Sequence, residues 1–177
     1  MESRFRDEFR RHSPGAASEF GPQTPPAVAI DWRTVRIVAI HLAPGRKVPT
    51  RSVSAVEAEA GKGLVGDRYH GAKHRHVTVQ SRELLDRAAA DLGQAIDSGA
   101  TRRNLTIDAG DIPTRPGARI RIGDVELEVV RVAAPCRLLD DWIAPGAAAA
   151  MRQRGGSVFR VLSSGAIRVG DDVARCD

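Results

Sequence analysis

From residue 35 onward the chain is written in short apolar runs separated by turn chemistry. "VRIVAIHLA" gives way to "PGRKVP", then to "TRSVSAVEAEAG", then to a glycine-rich loop. The clearest period-two alternation lies in "RIRIG" and "DVELEVVRV". There Ile120, Ile122, Val125, Leu127 and Val129 share one face, and the intervening Gly-Asp predicts a hairpin turn. "GAIRVGDDVAR" at 165–175 echoes "GARIRIGDVEL" at 117–127, and the echo reads as similar hairpin geometry rather than a true repeat. β-branched residues crowd 35–40, 76–79, 119–132 and 157–169, as strands require.

Only two stretches carry a helical pattern. "SRELLDRAAADLG" (81–93) puts Leu84, Leu85, Ala88, Ala89 and Leu92 on one face, with Ser81 placed to cap and Gly93 to stop it. "GAAAAMRQRGG" (146–156) has high helix propensity and ends in a glycine pair. Many strands and few helices predict a mainly β fold, a sheet closed on itself as a barrel with a few peripheral helices.

Residues 13–27, "SPGAASEFGPQTPPA", lack apolar periodicity. Such a segment cannot bury enough surface to offset its ordering entropy, so residues 1–33 read as a flexible leader, with room in it for vector-derived sequence. Phe5 and Phe9 offer a short amphipathic helix within 1–12, marginal on its own. Residues 34–177 form the single domain that a chain of 177 residues with 42% hydrophobic content can fill.

Charge sharpens this picture. The leader balances five arginines against five acids, so the whole net +5 falls on residues 34–177. That excess suits an anionic ligand, small molecule or nucleic acid, without choosing between them. Nucleic acid is disfavoured by the scattered aromatics Trp32, Tyr69, Trp142 and Phe159, because single-strand binders stack bases on one face. No apolar run approaches the ~20 residues of a membrane span, and the N-terminus lacks a secretory signal's apolar centre. The expectation is a cytoplasmic protein without membrane contact.

Two cysteines exclude a disulfide framework or a four-cysteine zinc site. Cys176 stands almost at the C-terminus with no setting. Cys136, in "VVRVAAPCRLLDDW", lies just past the end of an alternating strand, and the cation of Arg137 beside it favours a thiolate. It reads as a reactive or metal-ligating thiol, or as a small buried hydrophobe. "TRRN" (101–104) before "LTID" offers two guanidiniums that can grip a phosphate, or a solvated turn with Asn104 in the left-handed region. The loop "GKGLVGDRYHGAKHRH" (61–76) supplies close backbone approach and charge, and fits neither phosphate-loop fingerprint. His70 and His74 stand four apart, but the glycines break the helix that a zinc pair would need. The loop is left as an anion cradle.

Taken together, "GKGLVGDRYHG", "RRNLTIDAGDIPTRPGARIRIGDVELEV", "PCRLLDDW", "RGG" and "GAIRVGDDV" resemble, in order and spacing, the MOSC domain family, named for the C-terminal domain of molybdenum cofactor sulfurase. The resemblance spans about residues 34–175 and is to its small stand-alone bacterial members. It implies a MOSC-type β-barrel with a site for the molybdenum cofactor, a pterin dithiolene with a phosphate tail. Family enzymes ligate molybdenum through one cysteine thiolate and reduce N-hydroxylated small molecules with electrons from a separate protein. Carried onto this chain, Cys136 is the molybdenum ligand and Arg102, Arg103 and Asn104 hold phosphate and pterin. Asp67, Arg68, His70 and Gly71 of the loop wall the same pocket. A soft thiolate suits a sulfur-ligated metal, and arginine forks suit a phosphate. Two other readings stand beside the reductase: a sulfur carrier holding a persulfide on Cys136, and a non-catalytic nucleic-acid-binding barrel. The sequence has no room for the sulfurase's pyridoxal-phosphate domain and carries no iron–sulfur motif.

Overall fold

The computed structural model describes residues 31–176; the candidate helix over 1–12 and most of the expected leader lie outside the described residues. Within the last residues of the expected leader, Trp32 forms a 3-10 turn, Trp32–Thr34, and packs against the core. The Arg175 guanidinium lies 5.0 Å over its ring. An indole has too much apolar surface to leave in water when a sheet edge is at hand.

Eight strands form one curled sheet, a half-barrel, with neighbours in the order β11-β7-β8-β9-β5-β6-β1-β2. They are β1 (Ile37–Leu42), β2 (Arg51–Val53), β5 (Val77–Ser81), β6 (Leu105–Ile107), β7 (Arg119–Ile122), β8 (Val125–Val132), β9 (Ser157–Val161) and β11 (Val173–Cys176). β5 and β6 are parallel, the pairing that needs a crossover, and helix α1 (Arg82–Leu92) supplies it. The two sides of the curl meet at a short seam. Ile37 N–H donates to the Asp171 carbonyl at 3.0 Å, Gly170 N–H to that of Ile37 at 2.8 Å, and Val173 N–H to that of Val35 at 2.9 Å. These bonds use edge groups that would otherwise template aggregation.

Period-two alternation delivers what the sequence promised at β7–β8. Ile120, Ile122, Val125, Leu127 and Val129 are all buried, with Ile120 facing Leu127 and Ile122 facing Val125. A smaller sheet, ordered β10-β3-β4, adds β3 (Ala55–Glu59), β4 (Gly63–Leu64) and β10 (Gly165–Arg168). It sends Val56, Ala58, Leu64 and Ile167 into the same core as the large sheet. The second Gly-Asp turn corrects the expected echo: β10 pairs with β3 and β11 with β7, so the turn hands the chain from one sheet to the other and makes no hairpin.

α1 follows its pattern, with Leu85 and Ala88 buried and Gly93 ending it at φ 76°. Ser81 makes no capping bond, because as the last residue of β5 its hydroxyl is buried without a partner. The alanine-rich stretch yields only α3 (Ala147–Ala150). It unwinds because Gly155 and Gly156 must reach two backbones: a Cβ on Gly155 would lie 2.6 Å from the Ala133 carbonyl oxygen. Helix α2 (Leu138–Trp142) is absent from the sequence reading; five residues are too few to show a period, and Leu139 alone anchors it in a second cluster with α1 and α3. Among the described residues no helix is long and apolar enough to cross a membrane.

Candidate functional site

Three chain segments meet where β1 ends, β6 begins and the loop after β4 returns. Asn104 and Asp67 bind them together. The Asn104 side-chain oxygen accepts from Thr78 N–H at 3.0 Å and Thr78 Oγ1 at 2.9 Å, and its amide donates to the His41 carbonyl at 3.1 Å and Asp67 Oδ2 at 2.8 Å. That is the full capacity of a carboxamide. Asp67 Oδ2 also accepts from Ala43 N–H at 2.8 Å, and Oδ1 from Tyr69 N–H at 2.9 Å. Both side chains, expected at the cofactor, make these bonds inside the protein and brace the three segments against one another.

The left-handed residue of "TRRN" is Arg102, at φ 60°, and not Asn104, and the turn is buried rather than solvated. That conformation throws the two arginines apart. Arg102 donates Nη1 to the Val48 carbonyl and Nη2 to that of Gly45 at 3.0 Å, and lies 5.0 Å over the Trp142 ring. Arg103 donates Nε to the Gly155 carbonyl at 3.0 Å and Nη2 to that of Ala133 at 2.8 Å. Ala133 and Gly155 flank the exit of β8 and the approach to β9, so "RGG" is the seat of this arginine.

Between them opens a pocket of about 90 Å³ lined by Cys136, Arg68, Arg75, Arg102 and Arg103, with Leu139 of α2 on its wall. Cys136 is exposed, just beyond the end of β8. Among the described residues none of these four arginines forms an ion pair with a carboxylate. Their proximity is costly. Burial, then repulsion from Arg75, pushes Arg103 down to about 10, and the neighbouring Cys136 offsets part of that. Burial also lowers Arg75 and Arg102, and the Arg68 charge pushes each further down. The Nε atoms of Arg68 and Arg75 are buried without partners. Unanswered charge and orphaned donors are expensive to keep in a fold unless a ligand answers them.

The sequence reading missed Arg75, seeing only a member of a basic run. Its guanidinium and that of Arg68 lie 4.2 Å and 4.3 Å from the Tyr69 ring centre, one ring steadying two cations. Two expected wall residues are elsewhere. His70 Nε2 lies 3.3 Å from Glu59 Oε2 at the surface, where Lys62 already answers that carboxylate. Gly71 donates its N–H to the Lys62 carbonyl at 2.8 Å and borders open space. Neither lines the pocket that holds Cys136. Among the described residues no group of three His, Cys, Asp or Glu side chains could hold a metal. A metal here would rest on the single thiol and on ligands that it brings with it.

Two histidines near the site set a pH limit. Burial holds both His41 and His76 below the ordinary 6.5. The unfolded chain then takes up protons first, so stability is full above that pH and is lost as pH falls through it. The melting temperature is expected to hold at neutral pH and to fall below about pH 6.5; a flat profile to about pH 5 would contradict it.

The family model of the MOSC domain matches residues 66–174. No curated protein matches the chain. Among solved structures, the YUAD protein from Bacillus subtilis is similar at a TM-score of 0.71 and 19% identity, covering 78% of this chain and 94% of that one. YiiM from Geobacillus stearothermophilus is similar at 0.64 and 20%, covering 81% and 75%. YiiM from Escherichia coli follows at 0.59 and 19%, covering 80% and 70%. Likeness at such identity speaks for the fold alone. The family match spans more than half of the chain and takes in Cys136 with all four arginines of its pocket, and on that ground the chain belongs to the MOSC domain family.

Proposed function

We propose that the protein binds the molybdenum cofactor through Cys136 and the surrounding arginines and reduces N-hydroxylated small molecules. One observation carries this reading: an accessible thiol shares its pocket with four guanidiniums that, among the described residues, form no ion pair with a carboxylate. A phosphate-bearing, sulfur-ligated metal group is the partner that satisfies both halves of that donor set. The pocket is smaller than the ~300 Å³ of an ordinary small-molecule site, so it encloses only the charged end of such a group.

Within this reading Cys136 is the metal ligand, and Arg68, Arg75 and Arg103 present donors to the anionic part. Arg102, with both terminal nitrogens on carbonyls, holds the 45–48 loop and the ring of Trp142 at the rim. When bound, the cofactor supplies two-electron redox chemistry. The open face of Cys136 admits the substrate, and a separate electron-donor protein replenishes the electrons. The test is reduction of a hydroxylaminopurine or an amidoxime by cofactor-loaded protein with a reductant. Cys136→Ser is expected to fall to background with its fold intact, and equal turnover in both proteins would end the proposal.

The exposure of Cys136 favours a second reading, a sulfur carrier, because persulfide transfer needs an accessible sulfur. It predicts a sulfur adduct on Cys136 in mass spectra of protein taken from cells. An unmodified thiol accompanied by bound molybdenum would eliminate it.

A further inference from the structure

The Cys136 pocket is rich in charge and, beyond the thiol itself, poor in groups that pass a proton. Its walls are four arginines, Thr101 and two leucines, and among the described residues no carboxylate and no imidazole lines it. Thr101 Oγ1 lies 2.8 Å from Gln80 Oε1 and 2.7 Å from the Ser98 carbonyl, both acceptors, so its proton stays inside the fold. A group that leaves a substrate here must leave as an anion, with guanidiniums to answer its charge.

Size narrows the choice further. The enclosed space of about 90 Å³ is well under the ~300 Å³ of organic small-molecule sites and equals roughly three waters' share of liquid. That is room for a compact oxyanion. Arg102 and Arg103 are each 8% exposed and make their hydrogen bonds to backbone carbonyls alone, which leaves their charge in place. Cys136, in the same pocket, is exposed. An anion drawn onto the buried guanidiniums keeps one end beside an accessible sulfur.

We propose that this pocket takes thiosulfate and that Cys136 accepts its outer sulfur, an inference that rests on the sulfur-carrier reading and supplies its donor. With its proton lost to water, the Cys136 thiolate attacks the outer sulfur and forms a new S–S bond. The S–S bond of thiosulfate breaks, and its electron pair leaves with sulfite. The products are a Cys136 persulfide and a sulfite dianion, so charge balances and no outside electron or proton enters. Three sulfonate oxygens with growing negative charge match a cluster of guanidiniums. A donor with a basic leaving group would need an acid that this pocket lacks. The exposed side of Cys136 then lets an acceptor take the sulfur.

The test is thiocyanate formation from thiosulfate and cyanide by the full chain, produced in a host that cannot make the molybdenum cofactor. Cyanide takes the persulfide sulfur and restores the thiolate, so each turnover yields one thiocyanate and one sulfite. Turnover is expected in the wild type, background in Cys136→Ser, and no change in Cys176→Ser. Arg75→Ala should lower kcat/KM for thiosulfate about tenfold, while its Cys136 should react with uncharged dithiodipyridine at a near wild-type rate. The proposal is overturned if turnover does not exceed that of Cys136→Ser, if Arg75→Ala slows both reagents equally, or if mercaptopyruvate, a carboxylate donor, serves as well as thiosulfate. A persulfide on Cys136 in protein from cells, together with no thiosulfate turnover, would end this donor and keep the carrier.

Discussion

Asp67→Ala is expected to destabilise the protein by about 3–5 kcal/mol, because three donors lose their acceptor at once in a buried place. Those donors are the Ala43 and Tyr69 N–H groups and the Asn104 side-chain amide. Asp67 itself is 5% exposed, so water cannot take over. The loss spreads to function. Asp67 holds the loop carrying Arg68 and Arg75 against the end of β1, and without it those arginines lose their place beside Cys136. Asp67→Asn retains one acceptor oxygen and should cost less. Urea unfolding of both variants checks the order, and a loss below about 1 kcal/mol for the alanine variant would show that the brace is dispensable.

Gly156→Ala is expected to be at least as damaging, about 3–5 kcal/mol, since overpacking and backbone strain combine there. Gly156 has φ 73°, and a Cβ would stand 1.9 Å from the Val79 carbonyl oxygen. That oxygen belongs to a central strand, which cannot retreat without opening the sheet. The neighbouring Gly155 carbonyl receives Arg103, so the displacement would reach the Cys136 pocket as well. Gly71→Ala is the matched control: φ is 82° there, but nothing lies within 4 Å of the added carbon. It should cost only about 1 kcal/mol, the conformational penalty alone. Similar thermal shifts for the two variants would contradict the close approach at Gly156.

Local chemistry made part of this molecule readable in advance. The β7–β8 hairpin followed from period-two alternation, and α1 from its apolar face and terminal glycine. The P-C phrase after a strand singled out Cys136, and the paired arginines before β6 are two of the four guanidiniums that line its pocket. Contacts between distant segments were not readable. Asp67 and Asn104 meet across 37 positions, and Thr78 and Asn104 across 26, so nothing local distinguishes a brace from a ligand. Arg75 was hidden for the opposite reason, in a run of basic residues whose side chains diverge to two different cavities. The repeated Gly-Asp turn misled because turn chemistry fixes a reversal of direction, while strand partners are chosen by the rest of the sheet.

We propose that Cys136 anchors a molybdenum-bearing anion among four arginines. The most direct test is the molybdenum and released-pterin content of the protein and of Cys136→Ser, both produced in a host that makes the cofactor. The account predicts near-stoichiometric molybdenum with pterin in the wild type and loss of the metal in the variant. No molybdenum in either protein, or equal amounts in both, would contradict it.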